Sequence, residues 1–201
     1  MRKLYIFYVG ALLVLLTSCS GTGYLDAIPA ESKTLLSFNL GGMADDAKVS
    51  DDKKAEMLKE LLHVDDPSDC GIDLSQKLYM FISPDGQLGM DAKVGDDGDM
   101  KDWLNKLSKT GFCSKVTEKR GFNFTVIKGS WVVGFSDEAM LVMGPAVGAA
   151  QGEIQRQIIK YLKQDEDEGI KGTPMFDRLD SIDSNVAMVS KAEALPAKFT
   201  A

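Results

Sequence analysis

The sequence predicts an α+β fold, a mainly antiparallel sheet with helices on one face. Two observations lead to this prediction. Short apolar segments of period two, typical of strands, alternate with segments whose apolar residues recur every three or four positions, typical of helices. The first five segments also run strand, helix, strand, strand, helix, as at the start of a ferredoxin-like split β-α-β unit, and a three-stranded meander follows.

The first strand and the first helix are predicted by different periods. Residues 34–40 alternate apolar and polar side chains, and Gly41-Gly42 ends that pattern. Residues 51–63 carry apolar side chains at helical spacing, and two aspartates at the start suit the positive end of a helix. The apolar stripe of this helix predicts one buried side.

A hairpin follows the first helix. Residues 78–82 and 88–94 flank Pro84-Asp85-Gly86, a strong turn sequence. The first of these strands is apolar on both sides, which predicts a central position. The second alternates apolar residues with polar ones such as Asp91, so we expect one of its faces to lie in water.

A second helix is predicted between the aspartate-rich segment 95–99 and Gly111, a typical helix stop. Later strands are expected at 122–126, 131–135, 140–143 and 186–190. A helix over 153–163 and a short helix begun by Thr173-Pro174 separate the last two of them. The acidic run 165–168 is interpreted as a solvated loop.

The first 18 residues have the organisation of a secretory signal peptide. Arg2 and Lys3 precede an apolar run over 4–16, shorter than the roughly 20 residues that span a membrane. Leu16-Thr17-Ser18-Cys19 resembles the lipobox of bacterial lipoproteins. This resemblance implies that Cys19 is lipidated on sulfur and begins the mature chain; the alternative is an ordinary signal peptide with a chance cysteine.

Residues 19–32 are then expected to be the lipid anchor and tether, and residues 33–201 an α+β domain. That domain is either one unit or two packed modules, 33–112 and 113–201. Ser20 and the glycines after it lack both an inner-membrane retention aspartate and an acidic surface-export signal. We therefore expect an outer-membrane lipoprotein of the cell envelope that faces the periplasm.

The charge balance bears on the partners. The chain has a net charge of −7, and without Arg2 and Lys3 the remaining 21 basic and 30 acidic side chains give −9. An acidic chain is repelled by nucleic acid and by anionic headgroups, so we expect no nucleic-acid binding. Membrane attachment is expected through the lipid on Cys19.

Few residues suggest chemistry. Cys70 and Cys113 are either a disulfide, as an oxidising compartment permits, or two separate buried thiols. His63 lies at a helix end without a nucleophile motif, and the aspartates at 96–99 are interpreted as helix caps. Trp103 and Trp131 fit inward stripes better than sugar-stacking platforms. We expect no catalytic residues, no metal and no cofactor.

Several phrases, taken together, resemble an uncharacterised lipoprotein family of gut Bacteroidota, a domain of unknown function. The resemblance spans nearly all of the mature chain, defines no catalytic residues, and implies further sequence after this domain. The phrases are Tyr24-Leu25-Asp26-Ala27-Ile28-Pro29-Ala30, Gly71-Ile72-Asp73-Leu74-Ser75, Gly129-Ser130-Trp131, Gly134-Phe135, Met143-Gly144-Pro145, Gly172-Thr173-Pro174-Met175-Phe176 and Val186-Ala187-Met188-Val189.

The functional hypothesis is a non-enzymatic, lipid-anchored binding or scaffolding module of unknown activity. One alternative is a glycan-binding accessory lipoprotein of an outer-membrane uptake system, which needs an exposed tryptophan. The other is a carboxylate-dependent hydrolase, which needs two acids facing each other in a cleft. Residues 186–190 are apolar on both faces, Pro196 interrupts the helical turn that follows, and Phe199 is still to be buried. This C-terminal strand region, 186–199, is therefore expected to self-associate or bind a protein partner, or to continue into a larger architecture.

Overall fold

The structure, a computed structural model, describes residues 21–192, and Cys19 and the end of the 186–199 region lie outside them. The described residues form an eight-stranded antiparallel sheet, so the predicted α+β class is confirmed. Its strands are Thr34–Phe38 (β1), Leu78–Ile82 (β2), Leu88–Lys93 (β3), Thr117–Lys119 (β4), Phe122–Ile127 (β5), Trp131–Phe135 (β6), Ala139–Gly144 (β7) and Val186–Ser190 (β8).

The strand order is β4-β5-β6-β7-β3-β2-β1-β8. β3 from the first half of the chain pairs with β7 from the second half, with Leu88 opposite Gly144 and Lys93 opposite Ala139. One continuous sheet therefore includes strands from both halves, and its two edges are β4 and β8.

Five α-helices and two 3-10 helices complete the described chain. None of these helices is long and apolar enough to cross a membrane. The α-helices are Leu40–Asp46 (α1), Asp51–Leu62 (α2), Asp97–Lys109 (α3), Ala149–Tyr161 (α4) and Pro174–Asp180 (α5), and the 3-10 helices are Gly23–Ala27 and Pro67–Cys70.

Two hydrophobic clusters lie on opposite sides of the sheet. Face A is the side that carries Leu35, Phe81 and Leu141, and the N-terminal 3-10 helix, α4 and α5 pack against it. Face B is the side that carries Ala92 and Met140, and α3 packs against it. The expectation of helices on one face is therefore corrected, because the strands have apolar residues pointing to both sides.

The ferredoxin-like start is not formed. In a split β-α-β unit the chain crosses over and returns parallel to its first strand. Here β1 pairs directly and antiparallel with β2, with Leu36 opposite Met80. The segment with α1 and α2 thus connects neighbouring antiparallel strands.

Several local predictions are confirmed. β2 and β3 form the expected hairpin, with Tyr79 opposite Asp91. Asp96 caps α3 through its Oδ1, which accepts from the backbone N of Asp99 at 2.9 Å. Thr173 caps α5 in the same way, accepting from the N of Phe176 at 3.3 Å.

Two helices differ from expectation. Leu40-Gly41-Gly42 begins α1 and is not a strand end, because the Asn39 side chain accepts from the N of Gly42 at 3.0 Å and caps the helix. α2 has the predicted bounds to within one residue but no buried residue. Met57 and Leu61 of its stripe are exposed.

Candidate functional site

The N-terminal 3-10 helix is seated in the core. Tyr24 and Leu25 are only 4% and 2% exposed to solvent, although the sequence assigned their segment to the tether. The Tyr24 hydroxyl donates to the carbonyl of Lys77 at 3.2 Å. Asp26 Oδ1 lies 3.1 Å from Lys171 Nζ, in an ion pair that is largely shielded from water. The chain therefore enters the fold at Tyr24, five positions after Cys19.

Asp91 lies on face A of the central strand β3 and is completely buried. Neither of its carboxylate oxygens has a hydrogen-bond partner among the described residues. Burial raises the pKa of Asp91 well above its ordinary value, because removal from water penalises the carboxylate. The sequence predicted a wet face here; the N-terminal 3-10 helix, which contacts β3 and β7, helps to cover it.

Two tyrosines accompany this carboxyl group. Tyr79 is opposite Asp91 in the ladder, and its ring centroid is 6.2 Å from that of Tyr24. Burial, together with smaller contributions from the carboxylates of Asp180 and Asp91, raises the pKa of Tyr79 to about 12. Burial is also the first cause of the raised pKa of Tyr24. All three groups are thus held toward their neutral forms.

A shallow cleft of about 390 Å³ opens beside the tyrosines. Tyr24, Tyr79 and Phe176 supply its aromatic wall, and Lys171 and Asp180 supply charge. Lys171 already pairs with Asp26, and Asp180 lies 3.5 Å from Lys77. The charged groups of the cleft are therefore engaged with protein partners.

An open apolar patch occupies the other side of the sheet, near β8. We define this open patch as Leu36, Phe38, Met80, Val186 and Met188. Leu36 lies between Met188 and Met80 in register, and Phe38 lies opposite Val186, so the five side chains share face B. Val186 and Met188 are 42% and 59% exposed, and the other three are half-buried. Such a contiguous apolar surface is typical of interaction sites.

The cysteines have separate surroundings in the structure. Cys70 and Cys113 are both buried free thiols. Cys113 Sγ donates to the carbonyl of Leu104 at 3.2 Å, whereas Cys70 Sγ accepts from the N of Ile72 at 3.4 Å. The disulfide considered from the sequence is not formed in this structure.

The tryptophans and the histidine have structural surroundings. Trp103 is 9% exposed, and its Nε1 donates to the carbonyl of Leu62 at 2.8 Å. Trp131 is half-buried on β6. His63 ends α2 in a left-handed conformation, and its ring meets Phe112 edge-on at 5.7 Å. The contacts of Trp103 and His63 fit the packing and helix-end roles expected of these two residues.

Acidic residues meet in one cleft, at the end of β8. Asp46, Asp180 and Asp183 line it. The Asp46 carboxylate accepts from the side chain of Asn185 at 2.5 Å, and Asp180 pairs with Lys77. Within residues 21–192 no group of three or more histidine, cysteine or acidic side chains is arranged to hold a metal.

The sequence predicted an association surface at 186–199, but it missed the burial of Asp91 and the part of the patch that β1 and β2 supply. Asp91 alternates with apolar residues as a solvent-facing residue does, so its pattern gives no sign of burial. The patch could have been found from Val186, Met188 and the strand at 34–40, whose apolar residues lie at alternating positions. Their juxtaposition depends on the pairing of β1 with β8, which are separated by more than 140 residues.

These features define an antiparallel α+β domain with a buried, unpaired carboxyl group and an open apolar edge. The profile of the family described as "Domain of unknown function (DUF4836)" matches residues 24–200. The chain therefore belongs to this family.

Solved structures of one protein are similar to the chain. The structure of crystal form IV of TP0453 is 11% identical over 85% of this chain and 66% of that chain, with a TM-score of 0.49. Crystal form III of the same protein is also 11% identical, over 82% and 61%, with a TM-score of 0.46. The chain thus spans less than two thirds of their length. No curated protein matches the chain.

Proposed function

We propose that the protein is lipid-anchored in the cell envelope through Cys19 and acts there as a non-enzymatic binding or scaffolding module. The anchor is supported by the charged start, the short apolar run and the lipobox-like Leu16-Thr17-Ser18-Cys19. The membrane in question is the outer membrane, with the domain on its periplasmic side. Membership of a domain-of-unknown-function family agrees with an unknown activity.

The observation that carries the anchoring proposal is the early burial of Tyr24. Only Ser20, two glycines and a threonine separate Cys19 from this core residue. An extended chain advances at most ~3.6 Å per residue, so Tyr24 lies within roughly 18 Å of the lipidated residue. A mature chain that starts at Cys19 keeps the whole described fold and places it against the bilayer.

The binding role is supported by the open patch. Its apolar side chains lie on an edge strand and its neighbours, where another strand or surface can cover them. The charged side chains of the tyrosine cleft, in contrast, already pair with protein groups, and Asp46 and Asp180 of the acidic cleft do so as well. The patch is therefore the surface of the described residues best suited to a macromolecular partner.

Replacing the lipidated residue tests the anchor. Cys19→Ala should move the protein from the membrane fraction to the soluble fraction, because the acidic chain is repelled by anionic headgroups and the lipid supplies the attachment. The measurement is fractionation of expressing cells, with the membranes washed at high salt. Ser20→Ala is the matched control, and it should stay with the membranes. Retention of the Cys19→Ala protein in washed membranes would contradict the proposal.

A further inference from the structure

The two edges of the sheet differ in how they resist pairing with other strands. β4 is three residues long, and its Thr117, Glu118 and Lys119 are all exposed. Short, charged edge strands are a common means of blocking edge-to-edge association. β8 has five residues, Val186-Ala187-Met188-Val189-Ser190, with no charge and no proline. β8 is therefore the unprotected edge.

The main chain of β8 has a defined outward register. The N of Asn39 donates to the carbonyl of Asn185, and the N of Lys191 donates to that of Lys33, so residues 185 and 191 bond inward to the β1 side. Hydrogen bonding alternates along an antiparallel strand. The backbone groups of residues 187 and 189 therefore also bond to β1, and the backbone groups of residues 186, 188 and 190 point away from the sheet. The Ser184 hydroxyl occupies the outward carbonyl of Val186 at 2.8 Å. Met188 is the centre of this outward set.

We propose that a second copy of this chain pairs with β8, antiparallel and about a two-fold axis through Met188. The proposal rests on the binding role proposed above and names its partner. In this register Met188 faces its own equivalent, Val186 faces Ser190, and Asn185 faces Lys191. The outward backbone N–H and C=O groups of residues 186, 188 and 190 then meet those of the partner strand. The carbonyl and the N–H of Val186, which contact the Ser184 hydroxyl at 2.8 and 3.4 Å, exchange those bonds for bonds to the partner strand.

Side chains support a second copy of the chain. On face B the two Met188 side chains would adjoin, and each open patch would extend into the other. On face A, α5 packs on β8 and covers it in both copies. The ends of the strand are also complementary in charge, since the exposed Asp183 precedes β8 and Lys191 follows it. In the proposed register Lys191, whose Nζ also donates to the carbonyl of Glu31 at 3.2 Å, faces Asn185 of the other copy and lies two positions from that copy's Asp183.

Cysteine cross-linking of the full-length protein in its own membranes tests the register. Met188→Cys places two thiols on a hydrogen-bonded pair, where Cα atoms are about 5.5 Å apart and within disulfide range. Val186→Cys is the matched control, since it is exposed on the same face of the same strand. In the Val186→Cys dimer the thiol of each copy would lie opposite residue 190 of the other. The two thiols would be offset by four residues, ~14 Å apart and beyond disulfide range.

The expected result is about tenfold more disulfide-linked dimer for Met188→Cys than for Val186→Cys after mild oxidation. The double variant Val186→Cys/Ser190→Cys should recover the dimer, because those positions face each other across the axis. The unaltered protein gives the background, and its Cys70 and Cys113 are buried. Non-reducing electrophoresis with detection of the chain reports each species.

Three results would overturn the pairing. Equal dimer from both single variants would show random collision, and no dimer from Met188→Cys or the double variant would show that β8 does not meet a second copy. A Met188→Cys adduct with a different protein would assign the edge to that protein. Fractionation of the same cells separates this inference from the proposed anchoring. Membrane-bound protein without dimer refutes only the pairing, and soluble protein that still forms the Met188→Cys dimer refutes only the anchor.

Discussion

At the scale of single residues, Asp91 has the surroundings least like water. Its carboxyl group is fully buried without a hydrogen-bond partner, between strands that hold Tyr79 and Leu141 opposite it. The raised pKa means that the folded state keeps a proton that the unfolded state releases. The stability of the protein should therefore fall as pH rises from the unfolded pKa, near 4, through the folded pKa.

Asp91→Asn should raise the free energy of unfolding at pH 7 by on the order of 1–3 kcal/mol, because the amide has similar shape and no ionisation. Below the unfolded pKa of the carboxyl group, where the acid is neutral in both states, this gain should vanish. Urea denaturation at pH 3 and pH 7 measures the difference. Asp102→Asn on the exposed side of α3 is the control and should change little. A gain that does not depend on pH would contradict the assignment.

The cysteines provide a second measurement at this scale. Because Cys70 and Cys113 are free and hydrogen-bonded to different groups, unreduced protein that is unfolded in the presence of an alkylating reagent should gain two adducts. Intact mass before and after reduction reads this directly. No adduct before reduction and two adducts after it would show that the disulfide forms. That bond would close a loop of about 40 residues and add roughly 4 kcal/mol by the chain-entropy estimate.

At the scale of elements, the N-terminal 3-10 helix was expected to be part of a tether and is instead part of the core. Leu25→Ala should lower the free energy of unfolding by about 2–5 kcal/mol, since a fully packed leucine leaves a cavity when truncated. Val147→Ala removes a side chain that is 70% exposed and is the control, expected to change stability by less than about 0.5 kcal/mol. Urea titration measures both. Equal effects would show that residues 23–27 behave as tether and not as core.

Local patterns predicted the elements that are determined by local contacts. The stripe of α3, the hairpin at 84–86 and the caps at Asp96 and Thr173 depend on neighbours within a few residues. The pairing of β1 with β8 depends on distant segments and could not be predicted in this way. Asp91 was placed in water because the covering element lies more than 60 residues earlier. The burial of Asp91 and the part of the patch on β1 and β2 were missed for the same reason, since both depend on long-range contacts.

At the scale of the whole molecule, the proposed location predicts protection from external protease. Proteinase K added to intact cells should leave the protein whole, because the outer membrane would separate it from the enzyme. The same treatment after osmotic opening of the outer membrane should digest it, beginning in exposed segments such as α2. Immunodetection before and after opening is the measurement, with a known surface protein as the control. Digestion in intact cells would place the protein on the surface.

The burial of Tyr24 close to Cys19 has a geometric consequence for two anchored copies. A two-fold axis that joins β8 strands edge to edge runs perpendicular to the sheet. Two lipids in one leaflet require the same axis to stand along the membrane normal. On the proposed anchoring and pairing, the joined sheet would therefore lie parallel to the bilayer. Because the N-terminal 3-10 helix packs on face A and the tether is short, face A would turn toward the headgroups and face B toward the periplasm.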